Sequence, residues 1–419
     1  MDKIVIEGGH RLKGKVGVSG AKNAALPAMA ASLLASGTST ISNVPDLADI
    51  QTMGKLLSHV GAEVKNGKRT LKINSDKVGK LDAPYDLVRK MRASVLVLGP
   101  LLARFGSARV SLPGGCAIGA RPIDRHLKAL EAMGADIKLE GGYVEATAKK
   151  LHGAEITFSD VTVTGTENII MAAALAEGTT ILKNAAREPE VVDLATLLNR
   201  MGGRIEGAGS DSITIVGVDQ LRGCEHAIIP DRIEAGTFLI AACMTGGEVV
   251  VEGVTASLLP SVLEKLEEAG ATIIPGKDFI KIIGPKRVRN VDVATNPFPG
   301  FATDFQAQFM ALMALADGTS QITENIFENR FMHVAELKRM GADITLEGNR
   351  AIVRGVEKLL SAPIMATDLR ASASLVLAAL VAEGVTEIHR VYHIDRGYEH
   401  IEKKFRKLGA RVRRAKVKY

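Results

Sequence analysis

The chain has 419 residues, 46% hydrophobic and 24% charged, room for two or three packed units at roughly 150 residues each. Its 42 glycines, 4% aromatic content and lack of Trp point to many tight turns around a core of small aliphatic side chains, and exclude disordered, collagen-like and low-complexity classes. The net charge of +6 is mild and, outside residues 411–418, dispersed, which fits anionic small molecules better than a nucleic-acid groove. The basic segment 411–418 itself reads as a solvated edge strand.

Residues 3–7 and 15–19 read as two short strands. Charges among the first nine residues leave no apolar stretch for an export signal. The longest nearly uninterrupted apolar run, 373–382, is far shorter than the roughly 20 residues that cross a bilayer. A cytoplasmic protein without a membrane partner is expected. Beyond residue 20, Leu26, Met29, Leu33 and Leu34 keep one apolar helical face, residues 37–44 alternate as a strand, and a second helix runs through Leu47, Ile50, Met53, Leu56 and Leu57. It reaches Gly61, which can take the left-handed conformation that stops a helix.

This succession recurs six times. The closing glycines are Gly61, Gly134, Gly202, Gly270, Gly341 and Gly409, at spacings of 73, 68, 68, 71 and 68. A repeat of about 70 residues buries little surface alone, so several must pack together. Six divide most simply into two groups of three, with boundaries near Gly20 and Ile229. The two N-terminal strands then complete the last repeat, and a cleft between the groups is the expected ligand site.

Equivalent positions open each repeat: Lys22-Asn23, Arg92, Gly165-Thr166, Asp231-Arg232, Thr303-Asp304 and Asp368-Leu-Arg370. Asp and Thr there are ordinary helix caps. Lys22, Arg92, Arg232 and Arg370 are not, because a cation in a helix's first turn costs roughly 0.3–1 kcal/mol without a negative partner. A phosphate or carboxylate ligand would supply one; a local acid such as Asp231 or Asp368 is the plainer alternative.

Pro113-Gly-Gly-Cys116-Ala-Ile-Gly-Ala-Arg121-Pro122 sets three glycines between prolines, the composition of a lid. Cys116 near Arg121 suits a nucleophile or proton donor, whereas Cys243 sits in an apolar helical run and Cys224 reads as surface packing. Three scattered cysteines form neither a disulfide framework nor a zinc site.

With Lys22-Asn23, this loop, Phe327-Glu-Asn-Arg-Phe-Met-His333 and Tyr392-His-Ile-Asp-Arg-Gly-Tyr398 assembled, the chain closely resembles the UDP-N-acetylglucosamine 1-carboxyvinyltransferase family of enolpyruvyl transferases over essentially its whole length. The resemblance implies an α/β fold: a two-domain inside-out α/β barrel, each domain of three repeats, spanning 21–229 and 1–20 plus 230–419. It implies transfer of enolpyruvyl from phosphoenolpyruvate to the 3′-hydroxyl of UDP-N-acetylglucosamine by addition and elimination. Lys22, Arg121 and Arg396 would grip phosphoenolpyruvate, and Asn23 the sugar and its tetrahedral adduct. Arg92, Arg121, Pro122, Ile123, Asp124 and Ile326 would contact the nucleotide sugar, with Thr164 and Gly165 at its phosphates. Arg330, Asp368 and Arg370 would line the phosphoenolpyruvate side. Asp304 would be the general base, with a plain helix cap as its other reading, and Cys116 the general acid or an aid to product release. The partners are these two small molecules, with no nucleic acid and no metal or organic cofactor.

One departure concerns 161–165, where family members often carry a Lys and a Ser to hold phosphates; here Val161 and Val163 stand there, which leaves Thr162, Thr164 and the backbone near Gly165 to bind the oxygens. Two rival readings are the sister transferase acting on shikimate 3-phosphate and a non-catalytic nucleotide-sugar-binding paralogue. The Cys116 loop and the Phe-Glu-Asn-Arg segment oppose the first; the presence of Lys22, Asp304 and Arg396 opposes the second.

Overall fold

The computed structural model describes residues 2–89, 91–112 and 123–417. They form two compact units, one of residues 20–112 and 123–229, the other of residues 2–19 and 230–417.

Among the described residues there are six four-stranded sheets, three in each unit, and all six share one strand order. A leading strand runs parallel to the strand that follows a buried helix. The latter pairs antiparallel with the last strand of the repeat, and that strand pairs antiparallel with the third. In the sheet containing Glu155–Thr157, for example, Thr179–Lys183 comes second, then Ser212–Val216, then Arg204–Glu206. The sequence repeat is therefore one supersecondary unit used six times.

Two kinds of helix alternate. The inner ones, such as Arg232–Met244 and Leu369–Val381, carry charge only in the first turn and are buried nearly throughout, as a helix without a polar face must be. In the second unit Arg232–Met244, Gln306–Met313 and Leu369–Val381 pack on one another. Gly236 permits the approach: a Cβ there would stand 2.3 Å from the Phe305 ring. Lys22–Ala31, read from sequence as one-sided, is likewise buried on every side except at Asn23 and continues as a 3-10 turn, Ser32–Leu34. Outer helices are two-faced. Ala48–Val60 buries Ile50, Met53, Leu56, Leu57 and Val60 and leaves its other side to solvent. All six closing glycines have positive φ, from 92° to 105°, so each outer helix stops for the same local reason.

The N-terminal strands depart from expectation. Asp2–Glu7 does complete the last sheet, between Val385–His389 and Arg411–Lys416, which leaves the basic strand at the edge. Lys13–Gly17 instead leads the fourth sheet, parallel to Glu248–Glu252. The leading strand of the first sheet, Glu225–Ala227, arrives from the far end of its unit and pairs parallel with Thr38–Ser42. Every repeat needs a leading strand, and a chain that passes twice between units supplies two of them from remote segments. The passages lie side by side: Asp231 donates its N–H to the Ser19 carbonyl at 2.8 Å, and Ala21 donates to the Ile229 carbonyl at 2.8 Å.

Candidate active site

Asp304 lies in the 3-10 turn Thr303–Phe305, anchored by Phe305 against the notch at Gly236. It lies at neither cap position, which are Ala302 for this turn and Phe305 for Gln306–Met313. Its carboxylate accepts instead from two guanidiniums: Arg330 Nη2 donates to Oδ1 at 2.7 Å and Arg370 Nε to Oδ2 at 3.1 Å. Both arginines are almost fully buried, while Asp304 keeps a quarter of its side chain exposed. Burial alone would lower the Arg370 pKa; the neighbouring Asp304 carboxylate and Tyr398 outweigh it and raise it. Arg370 therefore stays charged beside Asp304.

A second carboxylate organises this arrangement. Glu324, buried, accepts from Thr295 Oγ1 and Thr303 Oγ1 at 2.8 Å each and from the N–H groups of Ile326 and Phe327. It thereby shapes the turn that presents exposed Ile326. Through Thr303, which accepts from Arg330 Nη1 at 2.8 Å, it also steadies the arginine on Asp304. Beneath, Tyr398 and Thr237 share a hydroxyl hydrogen bond of 2.9 Å, and Gln308 donates both to Tyr398 and to the Asp304 carbonyl. Neither Glu324 nor Gln308 stands out in the sequence, because each acts through residues far along the chain.

Asp368 is the cap of Leu369–Val381, accepting from the N–H groups of Arg370 and Ala371. Asp231 caps Arg232–Met244 in the same way, and Arg232 lies over the Phe298 ring, 5.5 Å from its centroid. Arg232 and Arg370 thus follow acidic caps, whereas Ala21 and Met91 precede Lys22 and Arg92; the carboxylate that Arg370 grips is Asp304, not its own cap. Arg396 ends the 3-10 segment Val391–Arg396, half-buried. Burial first, then the Arg396 cation, pulls the His393 pKa down.

In the other unit Lys22 opens its helix and pairs with Asp49 at 3.2 Å, both side chains buried; Asn23, next to it, is exposed. Arg92, half-buried, starts the 3-10 segment Arg92–Val97. Ile123 and Asp124 precede and begin helix Asp124–Ala132, which packs beside Val163–Ala173. Arg125 clasps Asp160 at 2.5 Å, and Thr162 caps the second helix by accepting from the Gly165 N–H. That leaves Thr164 exposed at its first turn and Gly165 buried behind it. Cys116, Arg121 and Pro122 lie outside the described residues.

Cys243 is inert, its thiol pushed up to about 12 by burial. Half-buried Cys224 is also raised. Among the described residues no three His, Cys, Asp or Glu side chains gather as metal ligands would, and no helix is long and apolar enough to cross a membrane.

Six sheets of one strand order over buried helices match the fold of an enolpyruvyl transferase. The solved structure of the enolpyruvyl transferase NikO from Streptomyces tendae is similar to this chain at a TM-score of 0.89 and 26% identity, covering 99% of this chain and 98% of that one. The family model for EPSP synthase (3-phosphoshikimate 1-carboxyvinyltransferase) matches residues 6–405, and the chain belongs to that family. Within it, the UDP-N-acetylglucosamine 1-carboxyvinyltransferase of Desulfatibacillum aliphaticivorans is 61% identical over 99% of this chain and 100% of its own length. That of Myxococcus xanthus is 60% identical over the full length of both. An EPSP synthase structure from Acinetobacter baumannii shares the fold at a TM-score of 0.76 but only 21% identity, over 99% of this chain and 100% of that one.

Proposed function

We propose that the chain transfers the enolpyruvyl group of phosphoenolpyruvate to the 3′-hydroxyl of UDP-N-acetylglucosamine, releasing phosphate, as the first committed step of peptidoglycan precursor synthesis in the cytoplasm. Asp304 carries this reading. Two guanidiniums hold its carboxylate in place, and substrate oxyanions that draw on Arg330 and Arg370 would free it to accept the hydroxyl proton.

The methylene carbon of phosphoenolpyruvate gains a proton, for which Cys116 is the donor, and C2 becomes electrophilic. The sugar hydroxyl loses its proton to Asp304 and bonds to C2, giving a tetrahedral ketal. Loss of phosphate from C2 and of a proton from the methyl group restores the vinyl ether. Lys22, Arg121 and Arg396 hold the phosphate and carboxylate while charge moves, with Asn23 on the adduct. Arg92, Arg121, Pro122, Ile123, Asp124, Ile326 and the Thr164–Gly165 turn take the nucleotide sugar; Asp368 and Arg370 lie toward phosphoenolpyruvate. In the same reading each unit is an inside-out α/β barrel of three repeats, a description supported by inner helices buried on all sides.

Phosphate release from phosphoenolpyruvate, measured with each candidate acceptor, tests the assignment. Release with UDP-N-acetylglucosamine alone is expected. Release with shikimate 3-phosphate alone would move the chain to the sister activity, and none with either would remove the catalytic reading.

A further inference from the structure

Gly99, in helix Leu98–Phe105, donates its N–H to Asn168 Oδ1 at 2.7 Å, while Asn168 Nδ2 donates to the Val95 carbonyl at 3.1 Å. An N–H can only give and a carbonyl can only accept, so these two contacts settle which end of the Asn168 amide is which. A Cβ at Gly99 would stand 2.4 Å from that oxygen, so the first contact requires glycine. The second Nδ2 proton meets His126 Nδ1 at 3.0 Å. Nδ1 is therefore the acceptor, and the ring proton sits on Nε2.

His126 is buried, and desolvation brings its pKa down to about 4, Asp124 and Arg125 acting in opposite senses. The ring is neutral near pH 7. Its Nε2 lies 3.4 Å from Thr164 Oγ1, to which it donates. Thr164 Oγ1 has no other hydrogen-bond partner among the described residues, so its own proton is turned away from the ring toward an acceptor. Beside it, the Val163 and Thr164 N–H groups have no acceptor within the helix, while that of Gly165 is held by the Thr162 cap. The side chains of Val161 and Val163 contribute no donor. An oxyanion suits that ensemble, and a hydroxyl whose proton direction is imposed gives it one oriented donor.

We infer that His126 is a positioning residue that, through a fixed ring tautomer, aims the Thr164 hydroxyl at the diphosphate of the sugar nucleotide. The inference rests on the function proposed above.

The test combines steady-state kinetics with calorimetric titration of UDP, on the full chain and on Thr164→Val, Thr164→Ser, His126→Leu and His126→Gln. One hydrogen bond to a charged oxygen sets the scale at about ten- to hundredfold. Thr164→Val and His126→Leu should raise the KM for UDP-N-acetylglucosamine and the Kd for UDP by that factor. The KM for phosphoenolpyruvate and kcat should stay within about twofold. Thr164→Ser keeps the hydroxyl, and His126→Gln keeps a donor near the place of Nε2; both should recover most of the affinity. The double variant Thr164→Val with His126→Leu should bind UDP no more weakly than Thr164→Val alone. Exposed Thr164 tolerates substitution, so a failure of His126→Leu to fold leaves Thr164→Val decisive. Unchanged UDP affinity in Thr164→Val, or additive losses in the double variant, overturns the relay. Absent turnover in the unaltered chain with UDP binding still dependent on Thr164 overturns the reaction and upholds the relay.

Discussion

Replacing Glu324 by Gln changes one atom and leaves the shape of the turn. Three donors converge on Glu324 Oε1, namely Thr295 Oγ1 and the N–H groups of Ile326 and Phe327, so the Gln carbonyl oxygen must take that place. The new NH2 then faces Thr303 Oγ1, where Oε2 accepted a proton at 2.8 Å. Thr303 already accepts from Arg330 Nη1; now it receives a second donor and its own proton loses its acceptor. One charge-assisted hydrogen bond is lost, worth about 1.5–3 kcal/mol, and Arg330 is the group left less well held. If that loss is felt in the transition state, kcat/KM falls about 10- to 100-fold, since 1.36 kcal/mol is a factor of ten. Phosphate-release kinetics at saturating and limiting phosphoenolpyruvate measure it. Thr303→Ala should produce a similar loss, and the two changes together should cost no more than the larger alone. Thr295→Val, which touches only the Oε1 side, should cost less. Wild-type kinetics in both Glu324→Gln and Thr303→Ala, or strictly additive losses, would refute the idea that Glu324 acts through Arg330.

Two further outcomes concern stability. The His126 pKa is about 4 in the folded chain against 6.5 for the free side chain. Its contribution is thus complete above pH 6.5 and disappears as pH falls toward 4, a span of roughly 3 kcal/mol. Urea unfolding from pH 7 to pH 4 should show that slope reduced in His126→Gln; identical slopes would mean that the ring is not held neutral. Lys404 pairs with buried Glu234 at 2.6 Å, and Glu234 also accepts the Ser19 N–H at 2.7 Å. Lys404→Met should destabilise by about 3 kcal/mol by stranding that carboxylate, with part recovered on adding Glu234→Gln. Burial already raises the Glu234 pKa despite Lys404. For a carboxyl raised in the folded state, stability is lost as pH rises, so the Lys404→Met deficit should be larger at pH 8 than at pH 5.

What the sequence displays is punctuation and period. Six glycines at nearly even spacing mark six helix ends because the left-handed turn at each is a property of one residue, and all six adopt it. Asp304, Arg330 and Arg370 emerge as candidates through their motifs. Their convergence is another matter, since Arg330 and Arg370 lie 26 and 66 residues from Asp304, and only the stacking of repeats brings them together. Glu324 and His126 are less visible still. Each bonds a threonine 21 or 38 residues away, and such a contact leaves no trace in local pattern. Lys13–Gly17 leads the fourth sheet instead of completing the last for a related reason: short strands carry their propensity in the sequence but not their partner.

The borrowed strands bear on the order of assembly during synthesis. Asp2–Glu7 pairs with Val385–His389 and Arg411–Lys416, so at ribosomal speeds of about 5–20 residues per second it waits roughly 20–80 s for a mate. Residues 20–229 have all their sheet partners much sooner, which lets that half of the protein consolidate first. The early tail must meanwhile stay unpaired and soluble, a task for which the charged ends of Asp2–Glu7 and the lysines of Lys13–Gly17 are well suited.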